Sequence, residues 1–334
     1  MQPPLLSIVV ALYQIETLLP AFLTSLSRLL DAEPRLEAVL VDDGSRDSTG
    51  HLARDFEANH ANAHLVVHTE NKGLFRARET GVDASRGQFV WLVDGDDILL
   101  GIDLDFIDQT MVSLPAVDLF CFQFIETREP NASAPSSPHT PGTYKSVSDQ
   151  PILFPLLYWG NIWRFITRRD ILVRYYSSTA MQCDMGEDLV LTCWLAACID
   201  TAMLADMPIY MYRRLRRGSY TERLQPIDRI ATSVELFHDI CVRNANNLDP
   251  LTRSMLALFS LPMRAVHRSE AERAGRTDLV RKCLDIDDLS RGMAPEQSDL
   301  TDLIQLHSIG VRPATAAGRA KQILKCLETD ALSC

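Results

Sequence analysis

Along the first 125 residues, continuous apolar runs alternate with polar stretches whose apolar positions recur at helical spacing. Leu5–Leu12 is rich in Ile and Val, the mark of a strand buried on both faces. Leu18–Leu30 then repeats apolar residues at helical intervals, and Leu36–Val41 reads as a second buried strand. Thr49–Ala58 predicts a helix, His64–His68 a third strand, Leu74–Ser85 a helix and Phe89–Val93 a fourth strand. Such alternation predicts an α/β fold: a mostly parallel, Rossmann-like sheet with helices on both faces. Ligands of these sheets bind beyond the carboxyl ends of the strands. Two acidic clusters fall there, Asp42-Asp43-Gly44-Ser45 after the second strand and Asp94-Gly95-Asp96-Asp97 after the fourth.

Residues 127–150 break the rhythm with four prolines among Ser, Thr and Asn, which predicts a loop or loose hairpin. The chain is apolar and aromatic again from Pro151 to about Tyr212 and mostly helical from Gln225 onward, with Ser290–Ser298 as a linker. The organisation expected is a domain over 1–222, with halves 1–125 and 126–222, followed by a C-terminal helical region over 223–334.

Composition changes the picture in two places. Lys plus Arg is 33 against 44 for Asp plus Glu, a formal charge of -11, which argues against a general nucleic-acid binder. The dense basic run Arg213–Arg217, followed by Gly218-Ser219, is therefore the feature that needs an anionic partner. The eight cysteines include no C-x-x-C pair, and most lie in apolar runs, so they are read as reduced. The N-terminus lacks a basic leader, and the longest uncharged apolar stretch, Leu189–Ile199, is too short for a bilayer. A cytoplasmic location is the expectation.

Three carboxylates at the exit of a buried strand repel one another unless a cation sits among them. Asp94, Asp96 and Asp97 therefore suit Mn2+ or Mg2+, which take hard oxygen ligands and share them with substrate phosphates; a solvated acidic turn is the bland alternative. Asp43 has the chemistry to accept hydrogen bonds from a base or ribose, although Asp and Ser are also ordinary helix caps. Gly186-Glu187-Asp188 opens an apolar helix and offers a carboxylate general base, against the alternative of simple helix-dipole stabilisation. Trp159 and Trp163 read as core.

Taken in order, several segments resemble family 2 glycosyltransferases. They are Ser7–Glu16, Val41–Thr49, Asn71-Lys72-Gly73 through Arg78 to Gly81, the Asp94 cluster, Gly186-Glu187-Asp188 and the Arg-rich segment before Gly218-Ser219. The detailed similarity covers about residues 5–125. It implies a GT-A fold, a nucleotide-sugar donor (a UDP-sugar) and an inverting, metal-dependent transfer. By motif it implies that Ala11, Tyr13 and Asp43 hold base and ribose, assisted by Asn71 and Arg78. Asp94, with Gly95, would lie near ribose and metal, and Asp96 would bind the metal. Asp188 would be the catalytic base, and an Arg of 213–217, Arg213 or Arg217, would close over the diphosphate with Ser219. The acceptor implied is a glycan, a lipid-linked sugar or a cell-surface polymer, and a lipid-linked one would bring peripheral association with the inner face of the membrane. Ala11 and Gln14 stand where the family usually has Pro and Asn. Two other readings stay open at this stage. One is a haloacid-dehalogenase-like phosphatase with Asp94 as nucleophile; the other is a nucleotide- or glycan-binding module without turnover.

Overall fold

The computed structural model describes residues 3–127, 144–147, 161–178, 187–199, 201–213, 227–239, 242 and 261–291. These form two compact units. The first holds the described residues up to 147 with 162–178 and 201–213; the second holds 161, 187–199 and the described residues from 227 onward.

The first unit is built on one sheet. Its elements are β1 (Leu6–Leu12), α1 (Leu19–Ala32), β2 (Leu36–Asp42), α2 (Thr49–Asn59), β3 (Ala63–Val67), α3 (Leu74–Ala84), β4 (Phe89–Asp94) and β5 (Ile98–Leu99). They continue with α4 (Leu104–Ser113), β6 (Leu119–Thr127), β7 (Tyr144–Val147), a 3-10 turn at Ile162–Arg164, β8 (Phe165–Arg168), α5 (Arg169–Ser178) and β9 (Ala202–Arg213). The strand order is β3-β2-β1-β4-β8-β6-β9-β5, with β7 paired to β9. β1 to β4 are mutually parallel. β8 runs antiparallel to both β4 and β6, so β6, and β9 parallel to it, point the same way as β1 to β4. The sheet is thus mostly parallel by strand direction, as the alternating pattern predicts, with β5, β7 and β8 reversed. β7 falls inside the stretch expected to be a loop or hairpin. Its backbone groups find partners along β9, a tertiary pairing that local composition does not announce.

The core explains the apolar runs. Leu6, Ile8, Val10 and Leu12 are fully buried on one face of β1, and Val9 on the other. Burying each of these side chains contributes on the order of 1.5–3 kcal/mol. α1 starts with Pro20 in its first turn and buries Leu19, Phe22, Leu23, Leu26, Leu29 and Leu30 as one stripe. Trp163 is core as expected, while Trp159 lies outside the described residues.

The second unit contains α6 (Glu187–Cys198), α7 (Ile227–His238), α8 (Leu261–Arg273) and α9 (Thr277–Arg291). Ile230 and Val234 of α7 pack with Ala271 of α8 and with Leu279 and Cys283 of α9. His238 meets Asp285 at 3.2 Å, and Lys282 pairs with Glu235. α9 runs to Arg291, so the first two residues of the expected linker are helical; 292–298 lie outside the described residues. No helix among the described residues is long and apolar enough to cross a membrane.

Candidate active site

The sheet register sets the site. Ala11 of β1 lies opposite Asp94 of β4, and Leu12 opposite Asp42 of β2. Three corners therefore leave the sheet side by side: 13–18, 43–48 and 94–97. The first two are stitched together. The backbone N–H groups of Gln14, Ile15 and Glu16 donate to Ser45 Oγ, Thr49 Oγ1 and Asp47 Oδ2 at 3.1, 2.9 and 3.2 Å. Ser48 N–H returns a bond to Glu16 Oε2 at 2.8 Å. This leaves Gln14 in the left-handed region at φ 51° and Tyr13 43% exposed beyond the strand end.

Asp43 is buried at the end of β2, and its carboxylate bonds to its own chain. Oδ1 meets His68 Nδ1 at 2.6 Å and Lys72 N–H at 2.9 Å. Oδ2 accepts from Asn71 Nδ2 at 2.9 Å and Gly73 N–H at 2.8 Å. Asp43 thereby shapes the 71–73 loop, in which Gly73 takes φ 92°, a conformation that favours glycine. By sequence His68 is expected only as the last residue of a strand. Its position just past the end of β3, on the same rim as the acids, is the signal that marks it.

The third corner is a tight turn closed by Asp97 N–H donating to Asp94 O at 3.2 Å. Ligand oxygens of Asp94, Asp96 and Asp97 all lie within 4.8 Å of one another, the one such acidic group found among the described residues. The three differ sharply. Arg78, 1% exposed on α3, donates from Nη2 to Asp94 Oδ1 at 2.8 Å, so it supports an acid of the turn from beneath. Asp96 is half-buried. Asp97 is fully buried and takes Tyr210 O–H at 2.7 Å and Arg213 N–H at 2.8 Å. Burial, with the neighbouring Asp94 charge, pushes its carboxyl up to about 8. Gly95 is there for space rather than for a ligand: a Cβ would lie 2.4 Å from Leu12 Cδ2 and 2.9 Å from Ile15 Cδ1.

Arg213 lies at the same turn. Only 4% exposed, it donates from Nε to Asp96 O at 2.6 Å and from Nη2 to Leu18 O at 3.1 Å and Asp97 O at 3.3 Å. The guanidinium staples the acidic turn. Arg217 and Ser219 lie outside the described residues, as does Gly186. Asp188 sits half-buried in the first turn of α6, within the second unit, and Thr192 Oγ1 donates to its carbonyl at 2.6 Å.

The donor set offers oxygen ligands only, as a hard divalent ion prefers. Asp94 and Asp96 are the two residues that could hold such an ion, since both oxygens of Asp97 accept from Tyr210 O–H and Arg213 N–H.

Comparison with known proteins gives this geometry a family. The model of "Glycosyl transferase family 2" matches residues 7–104, the span that carries all three corners. Residues 7–104 are thus similar to that family. The chain is 39% identical over 94 residues to "Uncharacterized glycosyltransferase EpsJ" of Bacillus subtilis, covering 28% of this chain and 26% of EpsJ. It is 35% identical over 112 residues to "Putative glycosyltransferase EpsH" of the same organism, covering 33% of this chain and 30% of EpsH. The chain thus spans under a third of the length of these curated relatives. Among solved structures, residues 1–349 of S. aureus TarS in complex with UDP-GlcNAc superpose with a TM-score of 0.63 at 18% identity, covering 97% of this chain and 91% of that one. The UDP complex of the same protein gives 0.61 at 17% identity, covering 97% and 90%. The likeness shows a GT-A fold.

Proposed function

We propose that this protein is a metal-dependent inverting glycosyltransferase. It moves a sugar from a UDP-sugar to a hydroxyl of a glycan, a lipid-linked sugar or a cell-surface polymer. The observation that carries this reading is the convergence, within the family 2 segment, of exposed Tyr13 and the Asp94–Asp97 turn at neighbouring strand ends. Relatives with glycosyltransferase names and a TarS structure holding UDP-GlcNAc support it.

In this reading Tyr13 offers its ring to the base beside the backbone of Ala11, and Asn71 lines the same rim. Asp94, bonded to Arg78, and Asp96 would hold Mn2+ or Mg2+. The ion, when bound, supplies positive charge against the negative charge that develops on the departing diphosphate. Arg217 and Ser219 are the proposed clamp on that diphosphate. Asp188 takes the proton of the acceptor hydroxyl as it attacks the anomeric carbon from the face opposite the leaving group. One base and an in-line displacement give inversion; retention through a covalent intermediate would require a second placed nucleophile. Association with the inner membrane face follows if the acceptor is lipid-linked. The family match leaves the phosphatase alternative without support, and a binding module without turnover is the outcome the Asp188 test below separates.

The test is a thermal-shift screen of UDP, GDP, dTDP and CDP with and without Mn2+, since a ligand of the native state raises its melting temperature. A metal-dependent shift with UDP is expected. Asp188→Asn should keep that shift while turnover falls by about 100- to 10,000-fold. Absence of a shift with any nucleotide would remove the donor-site assignment.

A further inference from the structure

The acidic turn carries three carboxylates, and the ion proposed above uses two. The third, Asp97, is bonded to β9 through both of its carboxylate oxygens. A continuous chain of hydrogen bonds runs there: Asp94 N–H donates to the Tyr210 hydroxyl at 3.3 Å, the Tyr210 hydroxyl donates to Asp97 Oδ2, and Arg213 N–H donates to Asp97 Oδ1. The first and last residues of the turn are thereby tied to one phenol. Asp96, between them, is tied through its carbonyl to the Arg213 side chain.

That phenol is itself fixed. The Tyr210 ring stacks on Trp163 with centroids 4.5 Å apart and planes at 12°, and Trp163 stacks on Tyr212 at 5.6 Å and 14°. The Trp163 carbonyl accepts Trp91 Nε1–H at 2.7 Å, which anchors the stack to β4, the strand that delivers Asp94. The hydroxyl cannot move without unstacking two aromatic rings.

We infer that Asp97 and Tyr210 are positioning residues that hold the carboxylates of Asp94 and Asp96 at the spacing a divalent cation requires. The inference rests on the metal-bound donor reading above. Groups that orient a metal's ligands typically change its affinity by about 10- to 100-fold when removed.

The experiment measures Mn2+ affinity of the full chain at saturating UDP, from free Mn2+ by electron paramagnetic resonance. UDP affinity in EDTA is read in parallel. Tyr210→Phe keeps the stack and loses the hydroxyl; it should weaken Mn2+ by about 10-fold and leave UDP affinity in EDTA within about twofold. Asp97→Asn, the second variant, should weaken Mn2+ to a similar degree, whereas Asp96→Ala should abolish binding. Unchanged Mn2+ affinity in both positioning variants, with only a lower melting temperature, would overturn the inference in favour of a purely structural tie. Asp97→Asn behaving like Asp96→Ala while Tyr210→Phe binds normally would also overturn it, making Asp97 a direct ligand. Wild-type protein that binds no Mn2+ would instead remove the metal reading and this inference with it.

Discussion

At the rim where β1 and β2 begin, Glu37 is buried and every contact pays it back in opposite charge or hydrogen bonds. Ser7 Oγ–H and Arg86 N–H donate to Oε1, each at 2.6 Å, and Arg86 Nε donates to Oε2 at 2.9 Å; Ser7 Oγ accepts Gly87 N–H at 2.8 Å. At the rim where β1 and β4 end, Asp94, Asp96 and Asp97 crowd together. Burial opposes ionisation at both ends, but the outcomes are opposite. Ser7 and Arg86 hold Glu37 below the usual carboxylate range despite its burial, whereas Asp97 is driven up to about 8. One sheet thus holds, at one end, an acid that fastens strands and, at the other, a crowded acidic turn, the place proposed for a cation. What differs is the surroundings of each acid, not the residue type.

The sharpest way to break that contrast is to delete an acid from the crowded rim. Asp96→Ala should lower turnover by at least about 100-fold and erase the Mn2+-dependent UDP shift. The melting temperature without ligand should stay level or rise, because a repulsion is removed. A variant that keeps the metal-dependent shift would show that the crowding has no ligand to serve.

At the opposite rim the same operation should strike stability and spare chemistry. Glu37→Ala strands Ser7 and the Arg86 N–H; because the Arg86 side chain is largely exposed and can return to water, the loss should be about 2–3 kcal/mol. UDP affinity well below the melting temperature should be unchanged. The pH dependence sharpens the point. Folded Glu37 stays charged at lower pH than it does in the unfolded chain, so acid favours unfolding. Its contribution is complete above its ordinary value of 4.5 and is lost as pH falls through the lower, folded value. Melting temperatures of wild type and Glu37→Gln between pH 7 and 3 should therefore converge in acid. Curves that stay parallel would mean that Glu37 is no better paired than an exposed glutamate.

The two rims were not equally legible from sequence. Apolar runs gave β1 to β4 to within about a residue at most ends, and turn-forming acids after two of those strands gave the rim that matters. Tyr210 carried no such mark: its partners Asp94 and Asp97 lie 116 and 113 positions away, and only the antiparallel pairing of β9 with β5 brings them together. The bonds of Arg213 to the turn are invisible for the related reason that a charge run shows how many cations are present but not where the fold places each one. Asp43 read correctly as a rim acid, yet its partners His68, Asn71, Lys72 and Gly73 arrive from a different loop, so sequence could not show those bonds.

The smallest expected effect concerns Gln14. Its φ of 51° lies on the corner that presents Tyr13, and a non-glycine residue in the left-handed region costs about 1 kcal/mol. Strain of this kind persists where the surroundings over-determine it, and here the bonds to Ser45, Thr49 and Asp47 do so. Because those bonds use backbone N–H groups, Gln14→Gly leaves the donors in place. It should raise stability by less than about 1 kcal/mol, since part of the relief is returned as glycine's entropy in the unfolded chain. UDP affinity should fall slightly or stay level, because a looser corner presents Tyr13 less rigidly. If stability and UDP affinity rose together, the strain would be a cost that the site does not use, and the corner would belong with the Glu37 rim as scaffold.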